Sequence, residues 1–150
     1  MYIKTNIEKM LAPSVIALRE AGIVKFVSND SNIQKKDVFN EYDGYIAGFG
    51  ATVVNMGIKA ALAFYMKDFE DLEKAEVKNK DNEKAYRAKV VKAFANMLGK
   101  SSAKVLFEEV LAENSLNKLY QHTQKVVDAS VALKLVIRTY KFVDKSKNND

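Results

Sequence analysis

The chain holds one histidine, His122, no cysteine, and two conspicuous carboxylate groupings: Glu108 beside Glu109, and Asp68, Glu70, Asp71, Glu73 and Glu76. Acid–base, nucleophilic or metal chemistry would have to be built from these. A catalytic base needs a nucleophile within hydrogen-bond reach. His122 stands between Tyr120 and Thr123, with Asp128 the nearest downstream acid, and spacing places no nucleophile beside it. It reads as a surface or hydrogen-bonded helix histidine. One His without Cys cannot furnish a zinc ligand set, and the Glu108/Glu109 pair has no distinguishing spacing. Hard-cation cages fix their carboxylates with Gly and Asn/Asp turn chemistry. The run "DFEDLEKAEVKNKDNE" (68–83) offers instead a solvated helix end, or an acidic patch for docking against a neighbour's basic face. No enzyme activity, metal or cofactor is expected.

Cations are the next candidates. Lys and Arg total 24 against 19 acids, a net charge of +5, and only Arg19, Arg87 and Arg138 are arginines. From Lys84 to Lys104 there are six positive residues and no acid, with Lys89, Lys92 and Asn96 on one polar face. In the last helical segment Lys134, Arg138, Lys141 and Lys145 project within about 60° of one another. Such a stripe is either an ordinary solvated face or a track for phosphates, which positions a strand without reading its sequence.

Small residues form a third pattern. Gly44, Gly48, Ala51 and Asn55 recur at helical spacing, opposite Tyr42, Tyr45, Ile46, Phe49, Val53 and Met56. A bare strip admits a close neighbour: another helix of the domain, a partner subunit or a nucleic-acid backbone. A dinucleotide loop is excluded because G-x-G-x-x-G is absent and no strand is expected before the glycines.

The elements that must position these residues read as helices throughout. Apolar residues make up 48% of 150, with 6 Gly and 1 Pro, which suits one helical domain rather than a turn-rich β fold. The expectation is all-α: a single compact domain over 1–150, about six or seven helices, and a long C-terminal helix. Tyr2–Val27 reads as helix, interrupted or kinked at Pro13. Ser28–Asn32 reads as a loop. Asp37 caps a helix over Val38–Met56, and Gly57 ends it with positive φ. Helices follow over Ile58–Lys67, Lys84–Leu98 (stopped by Gly99), Ala103–Glu113 (capped by Ser101 or Ser102) and Leu116–Val143. Residues 70–83 form a charged loop and 144–150 a frayed tail. The longest apolar run, Ala60–Met66, is far below the ~18 residues of a membrane span, and charges with Pro13 interrupt any signal core. A soluble cytoplasmic protein with no membrane partner is expected.

The segment "YDGYIAGFGATVVNMGIKAALAFYMK" resembles the small helical subunit of type III-B CRISPR effector complexes, the Cmr module, through Tyr45, Gly57, Ala61-Leu62-Ala63-Phe64 and Lys67. A looser likeness follows in "YQHTQKVVDASVALK", through Tyr120, Thr123, Leu133 and Lys134, although Ala132 stands where members often carry Trp. The resemblance implies a non-catalytic subunit of an antiviral ribonucleoprotein. Several copies would stack beside the guide-holding subunits and help seat guide and target RNA on a basic groove. Lys67 and Lys134 are the RNA-facing candidates it brings; Arg138 and Lys141 join them from the helix stripe, and Lys89 and Lys92 from the basic segment. Gly44, Gly48, Ala51 and Asn55 are the subunit-contact candidates. A helical scaffold for an acidic protein, and the small subunit of the sister type III-A complex, are the alternatives.

Overall fold

The computed structural model describes the backbone of residues 2–28, 34–39, 41–67, 69–70 and 86–143. It describes the side chains of 6–24, 41–67, 69–70 and 86–140. The expected loop beyond Glu70, the expected tail, Lys145 and the segment 29–33 lie outside these residues.

Helix α1 (Tyr2–Glu20) runs through Pro13 as one helix, so the expected break is absent. Proline removes the N–H that would bond the carbonyl of Lys9. Next to it, buried Ser14 donates its hydroxyl to the Met10 carbonyl at 2.7 Å. The helix stops at Glu20, short of the expected Val27. There the Gly22 N–H bonds the Arg19 carbonyl and the Ile23 N–H bonds the Leu18 carbonyl. This is a Schellman end, sealed by the apolar pair Leu18 and Ile23, both buried.

Three short strands follow from that stop: β1 (Lys25–Ser28), β2 (Gln34–Phe39) and, at the far end of the described chain, β3 (Lys141–Val143). β1 and β2 are antiparallel, with Phe26 opposite Lys36. β2 and β3 are parallel, with Val38 opposite Phe142. The strand β2 contains Asp37, which therefore does not cap a helix. It also places a strand before the glycines, contrary to the sequence expectation. The dinucleotide-loop reading still fails, because those glycines lie inside a helix.

That helix is α2 (Glu41–Met56). Glu41 and Asp43 occupy its first turn, where the helix dipole favours negative charge. Tyr42, Ile46, Phe49 and Val53 form its buried face as their spacing predicts, while Met56 is exposed. Gly57 separates α2 from α3 (Ile58–Met66) at φ 92°, ψ 156°, a conformation essentially reserved for glycine. Its N–H closes α2 on the Val53 carbonyl, and its carbonyl opens α3 by accepting from Ala61.

Helix α4 (Tyr86–Met97) ends at Gly99 in a second Schellman motif. Ser102 caps α5 (Ala103–Ala112), its hydroxyl accepting from the Val105 N–H at 3.1 Å. Ser115 likewise caps α6 (Leu116–Ile137). The described residues thus carry six helices, and the helical fold class holds with a small sheet added at one edge. Helix α6 ends six residues before the expected Val143. Thr139 takes the Val136 carbonyl with its backbone N–H and its hydroxyl, and the β-favouring "TYKFV" turns away into β3.

The core gathers on Phe49, whose ring centroid lies 4.7 Å from that of Phe94 and 4.8 Å from that of Tyr65. Helices α1 and α2 both lie on α6, and α4 packs against α1, α3 and α5. Helix α6 buries different residues along its length. Val126, Ala129 and Ser130 are buried in its first part, and Leu133, Val136 and Ile137 in its second.

Candidate functional site

The glycine-rich helix makes its closest approach at a position the sequence pattern did not single out. A Cβ on Gly50 would stand 2.5 Å from Ser130 Oγ and 3.0 Å from Ser130 Cβ. Gly50 is therefore what lets α2 settle on α6, and Ser130 Oγ reaches the Ile46 carbonyl at 3.4 Å. Of the predicted strip, Gly48 is half-buried beneath the Tyr65 hydroxyl, 3.0 Å from where its Cβ would be. Gly44, Ala51 and Asn55 are exposed. Among the described residues nothing lies within 4 Å of a Cβ placed at Gly44. Val54, beside this strip, and Met56, at the end of the helix, are 66% and 70% exposed.

The flank of α2 next to Gly48 carries a cluster of aromatic rings and cations. Tyr65 donates its hydroxyl to the Tyr45 carbonyl at 2.8 Å, tying α3 to α2. Burial pushes the Tyr65 phenol up to about 12, against a smaller downward pull from Arg87. The Arg87 guanidinium carbon lies 4.9 Å from the Tyr45 ring centroid and 5.3 Å from that of Phe64. Lys67 Nζ lies 4.7 Å from the Phe64 centroid. Phe64 is 48% exposed and Lys67 fully in the exposed class. A groove of about 530 Å³ also runs from Lys67 and Phe69 to Lys104 and Phe107 of α5. Glu70 and Glu108 line it too, so its charge is mixed.

The other predicted cations are distributed differently from the stripes. Lys89 is buried at 8% exposure, its Nζ 5.9 Å from the Tyr86 ring centroid, which removes it from the surface of the isolated chain. The reason is local: Tyr86, Ala88, Val90, Val91, Ala93, Phe94 and Ala95 are buried with it, leaving only Arg87, Lys92, Asn96 and Met97 of α4 half-buried. Lys92 is half-buried beside Glu20 and Asn96 in a small cavity of about 90 Å³. Lys134 lies half-buried in the last turn of α6. Arg138 caps that helix and pairs with Asp43 of α2, Nε to Oδ1 at 3.2 Å. Lys141 opens β3 in register with Asp37, so the four-cation helical stripe does not exist as projected. Lys134 and Arg138 remain together one turn apart, while Lys67 stands on α3.

Arg87 and its rings escaped the sequence reading. The signal available was residue type: Arg87 is one of three arginines, and Arg stacks on aromatic faces where Lys acts as a point charge. His122 is half-buried on α6, and its Nδ1 is buried without a hydrogen-bond partner. Burial holds its pKa below the usual imidazole range, helped by Lys100 and Lys125. The carboxylate beside that corner, Glu109, is taken by Lys100 at 2.6 Å. Among the described residues no group of His, Asp and Glu converges as a metal site, and no helix is long and apolar enough to cross a membrane.

With this geometry in hand, comparison with known proteins gives one result. Residues 19–139 match the family model of the CRISPR-associated protein Cas_Cmr5. No curated protein and no solved structure matches the chain. The match covers most of the sequence, from the last turn of α1 through the end of α6, and the chain belongs to the Cas_Cmr5 family of Cmr-type CRISPR subunits.

Proposed function

We propose that this Cas_Cmr5 family member is a non-catalytic small subunit of a type III-B ribonucleoprotein in antiviral defence. Several copies stack side by side in it and seat guide and target RNA on a basic surface. The family match over 19–139 carries this reading. Two features of the molecule support it. The exposed strip of Gly44, Ala51 and Asn55, with Val54 beside it, gives a neighbouring copy or subunit a bare surface to approach. Lys67, Arg87, Lys134 and Arg138 give phosphates cations to meet. In such complexes base pairing reads sequence, and the protein supplies charge and shape.

The test is co-expression of the chain with the remaining subunits encoded beside it and a guide RNA, followed by affinity purification and mass measurement of the complex. The expected outcome is recovery of the chain in more than one copy per guide-loaded particle. Strip variants, Gly44→Trp and Ala51→Trp, reduce that copy number while the isolated protein keeps its circular dichroism. A chain recovered equally well with an acidic protein after nuclease treatment, and absent from guide-loaded particles, refutes the proposal in favour of a scaffold.

A further inference from the structure

The Arg87 guanidinium lies over two rings, Tyr45 at 4.9 Å and Phe64 at 5.3 Å. No described carboxylate pairs with it, nor with Lys67, which lies 4.7 Å from the same Phe64 ring. Arg138, by contrast, is matched to Asp43, and Lys100 to Glu109. A guanidinium held over rings and paired with no described carboxylate keeps the N–H donors that form a fork available to a ligand. It also limits the orientations of the group, so less freedom is lost when the fork closes on a ligand.

We infer that Arg87 and Lys67 form a phosphate subsite for the backbone of single-stranded RNA, with Tyr45 and Phe64 as the surfaces that hold the guanidinium. This rests on the RNA-seating reading above and names the residues of that contact. A phosphodiester accepts two parallel bonds from an arginine fork and a further charge contact from a lysine. The half-exposed Phe64 ring beside these cations offers an apolar surface to the neighbouring ribose or base. Two cations that pair with no described carboxylate, set beside an exposed ring, suit a nucleic-acid strand better than an acidic peptide, which has no use for the ring. The subsite reads no sequence.

The full chain is titrated against a fluorescently labelled oligouridylate by anisotropy, across salt from about 50 to 200 mM. Arg87→Ala is expected to weaken binding about tenfold and to lower the log–log salt slope by about 0.7, the contribution of one single-strand phosphate. Arg87→Lys keeps the charge without the fork and recovers less than half of the loss. Phe64→Leu weakens binding with the slope retained. Lys67→Ala lowers the slope like Arg87→Ala, and Lys118→Ala, on an exposed site of α6, changes nothing. Wild-type binding with Arg87→Ala and Lys67→Ala both within twofold of it overturns the subsite alone. A wild-type chain that does not bind the RNA overturns both the subsite and the RNA-facing reading. Competition by polyglutamate as effective, per charge, as by unlabelled RNA overturns the phosphate assignment in favour of an acidic protein partner.

Discussion

Alanine in place of Gly50 should destabilise the protein, even though alanine is the better helix former. Propensity alone favours the substitution by about 1 kcal/mol. Against it, the new Cβ falls 2.5 Å from Ser130 Oγ and 3.0 Å from Ser130 Cβ. The hydroxyl can rotate away at the cost of a weak 3.4 Å bond to the Ile46 carbonyl. The Cβ of Ser130 is fixed to the α6 backbone, so α2 and α6 must part by several tenths of an ångström. Overpacking costs about 1–3 kcal/mol, and a contact this short calls on the upper part of that range, about 2–3 kcal/mol, which leaves a net loss of about 1–2 kcal/mol. At about 2–4 °C per kcal/mol for a chain of this size, Tm falls by about 2–8 °C. Gly44→Ala is the matched control on the same helix. It meets nothing within 4 Å and is solvent-exposed, so it gains up to about 1 kcal/mol. Both are read by urea unfolding monitored by circular dichroism, with Ser130→Ala completing a double-mutant cycle. Removing the hydroxyl should recover part of the Gly50→Ala loss, a coupling of about 0.5–1 kcal/mol. Gly50→Ala as stable as wild type, or a coupling of zero, would refute the claimed approach of the two helices at this residue.

Two further outcomes follow from buried titratable groups. Tyr65 should show no phenolate absorbance until well above pH 10, its pKa being raised to about 12 by burial. A raised folded-state pKa confers stability present below the unfolded value and lost as pH rises through the folded one, so stability declines above pH 10. Tyr65→Phe should flatten that decline and cost about 1 kcal/mol at neutral pH through the bond to Tyr45. His122 is depressed, so its contribution is present above its unfolded pKa and lost as pH falls through the folded value. Its imidazole proton resonances should titrate below the usual 6.5, and a midpoint above that value would contradict the burial argument.

The helical architecture was legible because the periodic apolar residues recur over whole helices. Tyr42, Ile46, Phe49 and Val53 specify α2 without ambiguity, and Gly57, Gly99, Ser102 and Ser115 mark boundaries through local backbone chemistry that any neighbourhood would respect. The sheet was not legible. "QKKDVF" and "KFV" carry too few alternating residues to announce strands, and β3 exists only by pairing with β2, a non-local choice. The same shortfall lengthened the last helix by six residues and turned Lys134, Arg138, Lys141 and Lys145 into a stripe. Lys89 went wrong for a related reason. A lysine at helical spacing among polar positions reads as solvent-facing, but α4 is packed on several sides and its aliphatic stem is folded in. Gly50 was hidden behind the regular strip beside it, since a steric fit between two helices depends on where Ser130 arrives. Arg87 was visible as a cation, and only the meeting of α2, α3 and α4 supplied its rings.

The parallel pairing of β2 with β3 has a consequence for how the molecule comes into being. Val38 and Phe142 are neighbours in space yet lie 104 positions apart in the sequence, and α1 likewise finds its main partner in α6. Helices between them can form as they are synthesised. The clasp cannot close until Val143 has cleared the ribosome, and the loop it closes holds five of the six described helices. Closing a loop of that length carries its entropy cost before the contacts reward it, which slows folding. The apolar side of α1 that awaits α6 stays unpaired through most of translation, so the chain enters its assembly as a body completed after synthesis.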